Sequence, residues 1–241
     1  MFFDLDDTLF DHARARRAGL RLIQSEIPRA SGISVDDLDR RYQGLVEAFH
    51  PQVLAGSLSR ARARTLRFRA LTESLGSHLS LAAAAHLGAR YEAAYLAHRH
   101  AVPGARGLLD RLHGRLHLGV ISNNLVAVQA GKLRDIGLAE FIDTFVISEE
   151  AGVAKPDPGI FRIALRRARA APGGAVMVGD SWENDVAGAR GAGIAALWYH
   201  PDHRPTPSGR APRLATFRPG TKAERAIRRA HRAYRTRSPR A

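Results

Sequence analysis

The chain has 241 residues, no cysteine and a formal net charge of +14 at pH 7. This length allows one large buried core and a smaller second lobe, and the lack of cysteine excludes a disulfide framework and thiol chemistry. The sequence contains neither a secretory signal pattern nor an apolar run near the ~18–20 residues that span a bilayer. We therefore expect a cytoplasmic protein without a membrane partner.

The first predicted strand ends abruptly in carboxylates. The apolar run 1–3 leads directly into Asp4, Asp6 and Asp7, a pattern typical of a buried strand that ends at a functional site. If the extended geometry persists, Asp4 and Asp6 leave the same face of the strand. Two carboxylates that close repel each other, and folding tolerates the pair only with a cation nearby or a proton shared between them.

Residues 11–103 have a different pattern, which predicts helices and no strand. Apolar residues recur at helical spacing in four segments, with proline or glycine near the breaks. The predicted helices are Asp11–Ile27, Val35–Leu54, Leu58–Leu75 and Leu81–His98. Arg60, Arg64 and Arg67 share one face of the third helix, where they either contact a substrate or, as we favour, form a solvated basic surface.

From residue 104 to residue 200, predicted helices and short apolar strands alternate. The helices are 105–113, 125–136, 158–170 and 183–191, and the strands are 116–121, 143–147, 175–178 and 193–198. This alternation predicts an α/β fold with a parallel sheet and helices on both faces, whose ligands gather at the carboxyl ends of the strands.

Polar residues follow these strands where such ligands would bind. Ser122 and Asn123 come directly after the second strand, and Asp180 follows the fourth. Lys155 lies in the loop after the third strand and is one of only three lysines in an arginine-rich chain. A compact ammonium suits a tight phosphate pocket better than a guanidinium does, so Lys155 is a candidate site residue.

The segment 201–241 is strongly basic, with twelve Lys/Arg and two acidic residues. It contains a predicted loop at 201–213, an edge strand at Leu214–Phe217 and a helix at Lys222–Tyr234. An apolar stripe on this helix, formed by Ala223, Ile227, Ala230 and Tyr234, suggests docking against the sheet. Residues 235–241 are expected to be a basic disordered tail. We expect a structural and solubility role for the whole segment.

Four motifs in this order resemble the haloacid dehalogenase (HAD) superfamily of phosphohydrolases. They are DxDxT at 4–8, the serine Ser122, the lysine Lys155 and GDxxxxD at 179–185. The resemblance implies a Rossmann-like catalytic core formed by 1–10 and 104–234, with an inserted all-α cap formed by 11–103. The sequence is most similar to the helical-cap group that contains pyrimidine 5′-nucleotidases and phosphoglycolate phosphatases.

The resemblance also implies roles for the acidic residues. Asp4 would be the nucleophile that becomes an aspartyl-phosphate, and Asp6 would transfer protons to the leaving group and from water. Carboxylates beside a phosphate demand a hard cation, and Mg²⁺ is the natural choice. Its ligands would be the Asp4 carboxylate, the Asp6 backbone carbonyl and Asp180, with Asp185 holding a metal-bound water or Lys155.

The phosphoryl group would be bound by the remaining motif residues. By resemblance, Ser122 and the amide of Asn123 would donate hydrogen bonds to the phosphoryl oxygens, and Lys155 would neutralise their charge. Thr8 is expected to organise the first loop rather than touch the substrate.

The predicted function is hydrolysis of a small phosphorylated metabolite, with a nucleotidase-like substrate suggested by the resemblance. Haloacid dehalogenases are a weaker alternative, because Asp6 and Asp180 have no counterpart in them. A phosphoglucomutase-like phosphotransferase keeps both aspartates and stays open. A nucleic-acid-associated basic protein is the alternative of another class; it is disfavoured because every catalytic position is filled and the predicted C-terminal helix has one aromatic residue, Tyr234. The oligomeric state stays open.

Overall fold

The computed structural model describes residues 1–201, 212–217 and 225–227. The chain separates into two units, one of residues 1–11 together with the described residues from 100 onward, the other of His12–Arg99. Residues 100–102 belong to the first unit, where the Asp11 N–H donates to the His100 carbonyl and the Val102 N–H to the Leu9 carbonyl. Identification of these units as catalytic core and cap stays a prediction.

The first unit contains a parallel sheet of six strands among the described residues. The strands are β1 (Phe2–Phe3), β2 (Gly119–Ser122), β3 (Thr144–Ile147), β4 (Val176–Gly179), β5 (Ala195–Tyr199) and β6 (Arg213–Leu214). Their order across the sheet is β3-β2-β1-β4-β5-β6. The predicted α/β fold is therefore confirmed, and the predicted edge strand at 214–217 is present but begins one residue earlier and is shorter.

The strand order reverses beside β1. From β1 the chain continues outward through β2 and β3, and then returns to the other side of β1 to form β4 and β5. Right-handed crossovers on the two sides of such a reversal place helices on opposite faces of the sheet. The reversal also leaves a crevice at the carboxyl ends of β1 and β4, where open α/β sheets bind their ligands.

The central strand β1 consists of two residues and is paired on both sides. The side chains of Phe2 and Phe3 are fully buried, and Phe2 pairs with Gly119 on one side and Met177 on the other. A Cβ atom on Gly119 would lie 2.7 Å from the Phe2 ring, so only glycine allows this approach. The Asp4 N–H still donates to the Val178 carbonyl at 2.9 Å, which carries the strand pairing up to the first carboxylate.

Several helices accompany this sheet in the described residues, and residues 225–227 are helical as well. They include α5 (Ala105–Leu112), α6 (Val126–Asp135), α7 (Ser148–Ala151), α8 (Pro158–Arg167) and α9 (Gly188–Gly191), and a π-helix at Trp182–Ala187 runs directly into α9. The Asp157 side chain caps α8 by accepting from the Gly159 N–H, and Pro158 supplies the preset φ angle of the first turn. Phe161 on α8 packs in the same core as Ile121, Val146 and Met177.

The second unit consists of helices only, as the sequence predicts. Its α-helices are α1 (His12–Glu26), α2 (Val35–Leu54), α3 (Arg60–Ser74) and α4 (Leu81–Ala97), with a short 3₁₀ turn at Pro28–Ala30. Three of them begin at a serine whose side chain accepts a backbone N–H of the first turn, namely Ser34, Ser59 and Ser80. This N-cap satisfies donors that the helix itself cannot pair.

The core of the helical unit is built on three aromatic rings. The rings of Tyr42, Phe68 and Tyr91 lie 5.0–5.2 Å from one another, centroid to centroid. Gly19 on α1 allows the close approach of α4, because a Cβ at this position would lie 2.4 Å from the Tyr91 ring.

Arginines in this unit are paired more than the sequence suggests. Arg16 and Asp39 form a bidentate pair that is almost fully buried. Arg64 pairs with Glu92 at 2.5 Å, and the Arg67 guanidinium lies 5.7 Å from the Tyr42 ring centroid. The expected solvated basic face of α3 is therefore partly neutralised and packed.

The described part of the C-terminal segment contacts the sheet. Phe217 is fully buried and stacks on Tyr199 at 4.4 Å, and Ile227 is buried as well. The rest of the predicted helix 222–234, including Ala223, Ala230 and Tyr234, and the tail 235–241 lie outside the described residues. Among the described residues no helix is both long and apolar enough to cross a membrane, and the cytoplasmic location stays a prediction.

The buried ion pair of the helical unit gives a stability prediction. Asp39→Ala leaves the Arg16 guanidinium buried without its carboxylate, which should lower the free energy of unfolding by about 3–5 kcal/mol. The matched control Glu73→Ala breaks the exposed pair with Arg69 and should cost about 0.5 kcal/mol or less. Urea denaturation of both variants measures the difference, and equal losses would contradict it.

Candidate active site

Three strand ends bring the predicted site residues to one edge of the sheet. Asp4 follows β1, Ser122 ends β2 and Asp180 follows β4. These strands are neighbours in the order β2-β1-β4, so the three side chains converge at the reversal of the strand order. Asp4 and Ser122 are buried, with exposed fractions of 6% and 2%, whereas Asp180 is half-buried.

A buried ammonium lies at the centre of this arrangement. Lys155 Nζ is 2.6 Å from Asp4 Oδ1 and 2.6 Å from Asp185 Oδ1. Burial alone would lower the pKa of Lys155, but the carboxylates of Asp185 and Asp4 outweigh that effect and raise it. The lysine therefore carries a fixed positive charge between the two carboxylates.

The loop that carries Lys155 is held by Asn123. The Asn123 side chain accepts from the Lys155 N–H at 2.7 Å through Oδ1 and donates to the Lys155 carbonyl at 2.8 Å through Nδ2. The following peptide bond, Lys155–Pro156, is cis. The side-chain amide of Asn123 is therefore used to fix the backbone of Lys155.

The last motif folds back on itself, so that its second aspartate, Asp185, lies against Gly179. The Ser181 N–H donates to Asp185 Oδ2 at 2.9 Å, and the π-helix that begins at Trp182 carries Asp185 back over Gly179. A Cβ at residue 179 would lie 2.2 Å from Asp185 Oδ2. The glycine of GDxxxxD is thus required by the carboxylate that lies against it.

Asp180 is fixed from two sides. The Thr8 hydroxyl accepts from the Asp180 N–H at 3.1 Å and contacts its Oδ1 at 3.3 Å, so Thr8 joins the first loop to the fourth strand. On the other side, Trp198 Nε1 donates to the Asp180 carbonyl at 2.7 Å. Trp182 packs edge-on against Trp198, with ring centroids 5.4 Å apart.

The donor set of this cluster fits a hard divalent cation. Asp4, Asp180 and Asp185 each offer a carboxylate oxygen, and these atoms lie within 4.8 Å of one another. Burial, opposed by Lys155 and reinforced by Asp185 and Asp6, raises the pKa of Asp4 to about 7. Burial and repulsion from Asp4 and Asp185 raise the pKa of Asp180 to about 8. Carboxylate oxygens are the ligands that Mg²⁺ prefers, and a bound divalent cation would offset the repulsion among these groups.

Asp6 occupies a separate part of the site. Lys132 Nζ lies 2.6 Å from its Oδ1 and 2.8 Å from its Oδ2, and Gln129 Nε2 donates to Oδ2 at 3.1 Å. The same Nε2 donates to Ser122 Oγ at 2.7 Å. Neither α6 residue is among the site residues predicted from the sequence. Two sequence signals could have found them. Gln129 and Lys132 are three residues apart on the helix after Ser122, and lysine is rare in this chain.

The fold and site define an α/β enzyme whose chemistry is centred on carboxylates at a strand-order reversal. The family model of haloacid dehalogenase-like hydrolases matches residues 1–193. The chain belongs to this family.

Relatives in this family are similar over different lengths. Pyrimidine 5′-nucleotidase YjjG of Escherichia coli (strain K12) is 43% identical over 112 residues, which are 46% of this chain and 50% of the relative. Ribulose-1,5-bisphosphate 5-phosphatase of Halopiger xanaduensis is 31% identical over 222 residues, which are 90% of this chain and 91% of the relative.

A solved structure has the same fold. The HAD-hydrolase YfnB from Bacillus subtilis, bound to magnesium, gives a TM-score of 0.68 at 25% identity, covering 90% of this chain and 93% of that chain. The expected superfamily, its fold and a hydrolase of the phosphatase type are confirmed by these comparisons. The roles of individual residues stay predictions.

The raised pKa values predict that Mg²⁺ binding depends on pH. Metal ligation requires deprotonated carboxylates, and the protons on Asp4 and Asp180 leave at about 7 and about 8. The Mg²⁺ affinity should therefore rise at least ~10-fold between about pH 6 and about pH 8. Without metal, Asp4 and Asp180 stay protonated in the folded protein at pH values where the unfolded chain has already ionised them. The free energy of unfolding should therefore fall as the pH rises from the ordinary carboxyl pKa of about 4 through about 7 and about 8.

Thermal shift titration with Mg²⁺ alone measures this effect without a substrate. Asp180→Asn should remove most of the metal-induced shift, whereas Glu140→Gln, which changes an exposed carboxylate paired with Arg106, should leave it intact. A shift that is equal at both pH values would contradict the prediction.

Proposed function

We propose that the protein is a Mg²⁺-dependent phosphomonoester hydrolase that acts through an aspartyl-phosphate on Asp4. The observation that carries the proposal is the arrangement of two aspartates with different partners. Asp4 is buried against Lys155, whereas Asp6 has a 27% exposed side chain and is held by Lys132. Nucleophilic attack and proton transfer need two carboxyl groups in different environments.

In the first step, an Asp4 carboxylate oxygen forms a bond to phosphorus while the ester P–O bond breaks. The leaving alkoxide takes a proton from Asp6, which lies two residues along the same loop. In the second step, water attacks the phosphoryl group and gives its proton to Asp6. The bond between Asp4 and phosphorus then breaks, and inorganic phosphate is released.

The charge of the phosphoryl group is met by groups around Asp4. Lys155 supplies a fixed positive charge within 2.6 Å of Asp4 Oδ1, and the Ser122 hydroxyl lies at the end of the adjacent strand. These donors act in a buried environment, where electrostatic stabilisation of a transition state is strong. The backbone N–H of Asn123 completes this set.

The residues that would hold Mg²⁺ are Asp4, Asp180 and the backbone carbonyl of Asp6, with Asp185 beside them. When bound, Mg²⁺ would supply positive charge that offsets the repulsion between these carboxylates and the phosphate. Asp185 holds Lys155 at 2.6 Å, so its main task is to fix the ammonium.

The substrate class is a small phosphate ester, with the phosphate on the C5 hydroxyl of a pentose as first candidate. Two relatives support it by their names, a pyrimidine 5′-nucleotidase and a ribulose-1,5-bisphosphate 5-phosphatase. In both, the scissile phosphate is on the primary carbon of a pentose. The phosphotransferase alternative is distinguished by a requirement for a bisphosphate. The nucleic-acid alternative rests on the basic segment, most of which lies outside the described residues.

Substitutions of the two aspartates should have different consequences. Asp4→Asn removes the nucleophile, so no phosphoenzyme should be trapped by acid quenching. Asp6→Asn keeps the nucleophile but removes proton transfer, which should lower the turnover rate by ~10²–10⁴-fold. The matched control Asp110→Asn, an exposed carboxylate on α5, should behave like the wild type. Turnover close to wild type in Asp4→Asn would contradict the mechanism.

A panel of phosphate esters tests the substrate class. We expect nucleoside 5′-monophosphates and pentose 5-phosphates to give the highest kcat/KM for release of inorganic phosphate, and chelation to abolish the activity until Mg²⁺ is restored. Full hydrolysis in metal-free buffer would refute the proposal. Phosphate transfer that needs a hexose bisphosphate would favour the phosphotransferase instead.

A further inference from the structure

Helix α6 turns two polar residues into the protein interior beside the site. Gln129 and Lys132 are three residues apart and therefore on one face of the helix. Their exposed fractions are 0% and 2%. The proposed chemistry assigns no role to either residue, yet both contact groups that it uses.

The burial of Lys132 requires a partner. An ammonium out of water costs several kcal/mol unless it is paired with an opposite charge and hydrogen-bonded. Its carboxylate partner is Asp6, contacted through both oxygens, and its Nζ also lies 5.2 Å from the ring centroid of Phe10. Phe10 is beside Asp6 because the loop folds back, with the Asp7 N–H donating to the Phe10 carbonyl at 2.7 Å.

The amide of Gln129 joins two groups of the site. Its Nε2 donates to Ser122 Oγ and to Asp6 Oδ2. The reverse orientation of the amide would put its oxygen against the Asp6 carboxylate, so the contact with Asp6 selects the orientation in which nitrogen donates to both. Among the described residues, Gln129 Oε1 is buried with no hydrogen-bond partner. Leaving this oxygen unpaired costs about 1–3 kcal/mol, so a glutamine at this position needs a reason other than packing.

This donation also directs the hydroxyl of Ser122. A serine hydroxyl has one hydrogen to donate and lone pairs that accept. Because Ser122 Oγ already accepts a hydrogen bond from Gln129 Nε2, its own hydrogen is free to point to another group that accepts. In the proposed reaction that acceptor is a phosphoryl oxygen.

We propose that Lys132 and Gln129 are positioning residues that hold Asp6 and Ser122 in one fixed register. The Asp6 carboxylate, which takes up a proton from solvent as the anionic substrate binds, is then aimed at the leaving oxygen while Ser122 binds the phosphoryl group. The inference rests on the proposed phosphatase function. It adds that proton delivery depends on a clamp provided by α6, which contacts Asp6 and Ser122.

If α6 positions Asp6 for proton delivery, the effect of losing its contacts should depend on the leaving group of the substrate. An aliphatic alkoxide needs a proton to depart, whereas p-nitrophenolate is stable without one. Loss of the clamp should therefore slow hydrolysis of an alkyl phosphate much more than that of p-nitrophenyl phosphate. The parameter kcat/KM reports the steps up to departure of the leaving group.

The test compares Lys132→Met and Gln129→Met with the wild type. Both substitutions keep an unbranched side chain of similar length and remove the polar contacts. With the alkyl phosphate that ranks first in the panel, kcat/KM should fall ~10–100-fold, and with p-nitrophenyl phosphate by less than ~3-fold. The ratio of the two values is independent of the folded fraction, because both scale with the amount of folded enzyme.

Two controls separate positioning from stability. In an Asp6→Asn background, Lys132→Met should leave the ratio unchanged, because its effect passes through Asp6. Gln24→Met removes a partly buried hydrogen bond outside the site, which Nε2 donates to the Ile33 carbonyl at 2.7 Å. This control should leave kcat/KM for both substrates unchanged.

The outcomes distinguish the two proposals. Equal losses for both substrates, an unchanged ratio, or a further change of the ratio in the Asp6→Asn background would overturn the clamp. If the wild type hydrolyses phosphate esters with the expected dependence on Mg²⁺ and Asp4, only the clamp fails. A wild type without phosphatase activity refutes the proposed function, and the clamp with it.

Discussion

The structure of the site depends on the burial of several carboxylates around one ammonium. Lys155 contacts Asp4 and Asp185 at 2.6 Å each, and Asp180 lies within the same cluster. In the described residues this is more negative charge than the lysine neutralises, which is why burial and mutual repulsion raise the pKa values of Asp4 and Asp180. The repulsion in such a cluster is offset either by protons that the carboxyl groups retain or by a bound cation.

Several backbone features follow from this constraint. Gly179 has no side chain because the Asp185 carboxylate takes the space of its Cβ. A π-helix begins at Trp182, an uncommon geometry that is often found at functional sites. The hydroxyl of Thr8 and the indole of Trp198 hydrogen-bond to Asp180 from residues far apart in the chain. Each of these features restricts where a carboxylate can move.

The sequence predicted the fold well where local signals are strong. Apolar periodicity, with proline or glycine near the breaks, predicted the helices of the second unit, and α2 has the expected bounds Val35–Leu54. The region predicted as one helix over 183–191 is instead a π-helix followed by the short α9, because Asp185 must return over Gly179.

The sequence by itself determined the class of fold, the family and the carboxylates with their lysine, because these lie in short motifs at the ends of recognisable strands. Only the tertiary structure decided which groups meet across the chain. Gln129 and Lys132 reach Asp6 because α6 packs beside a loop more than a hundred residues earlier in the sequence. Helical periodicity shows that two residues share a face, but the partner of that face depends on the packing of the whole sheet.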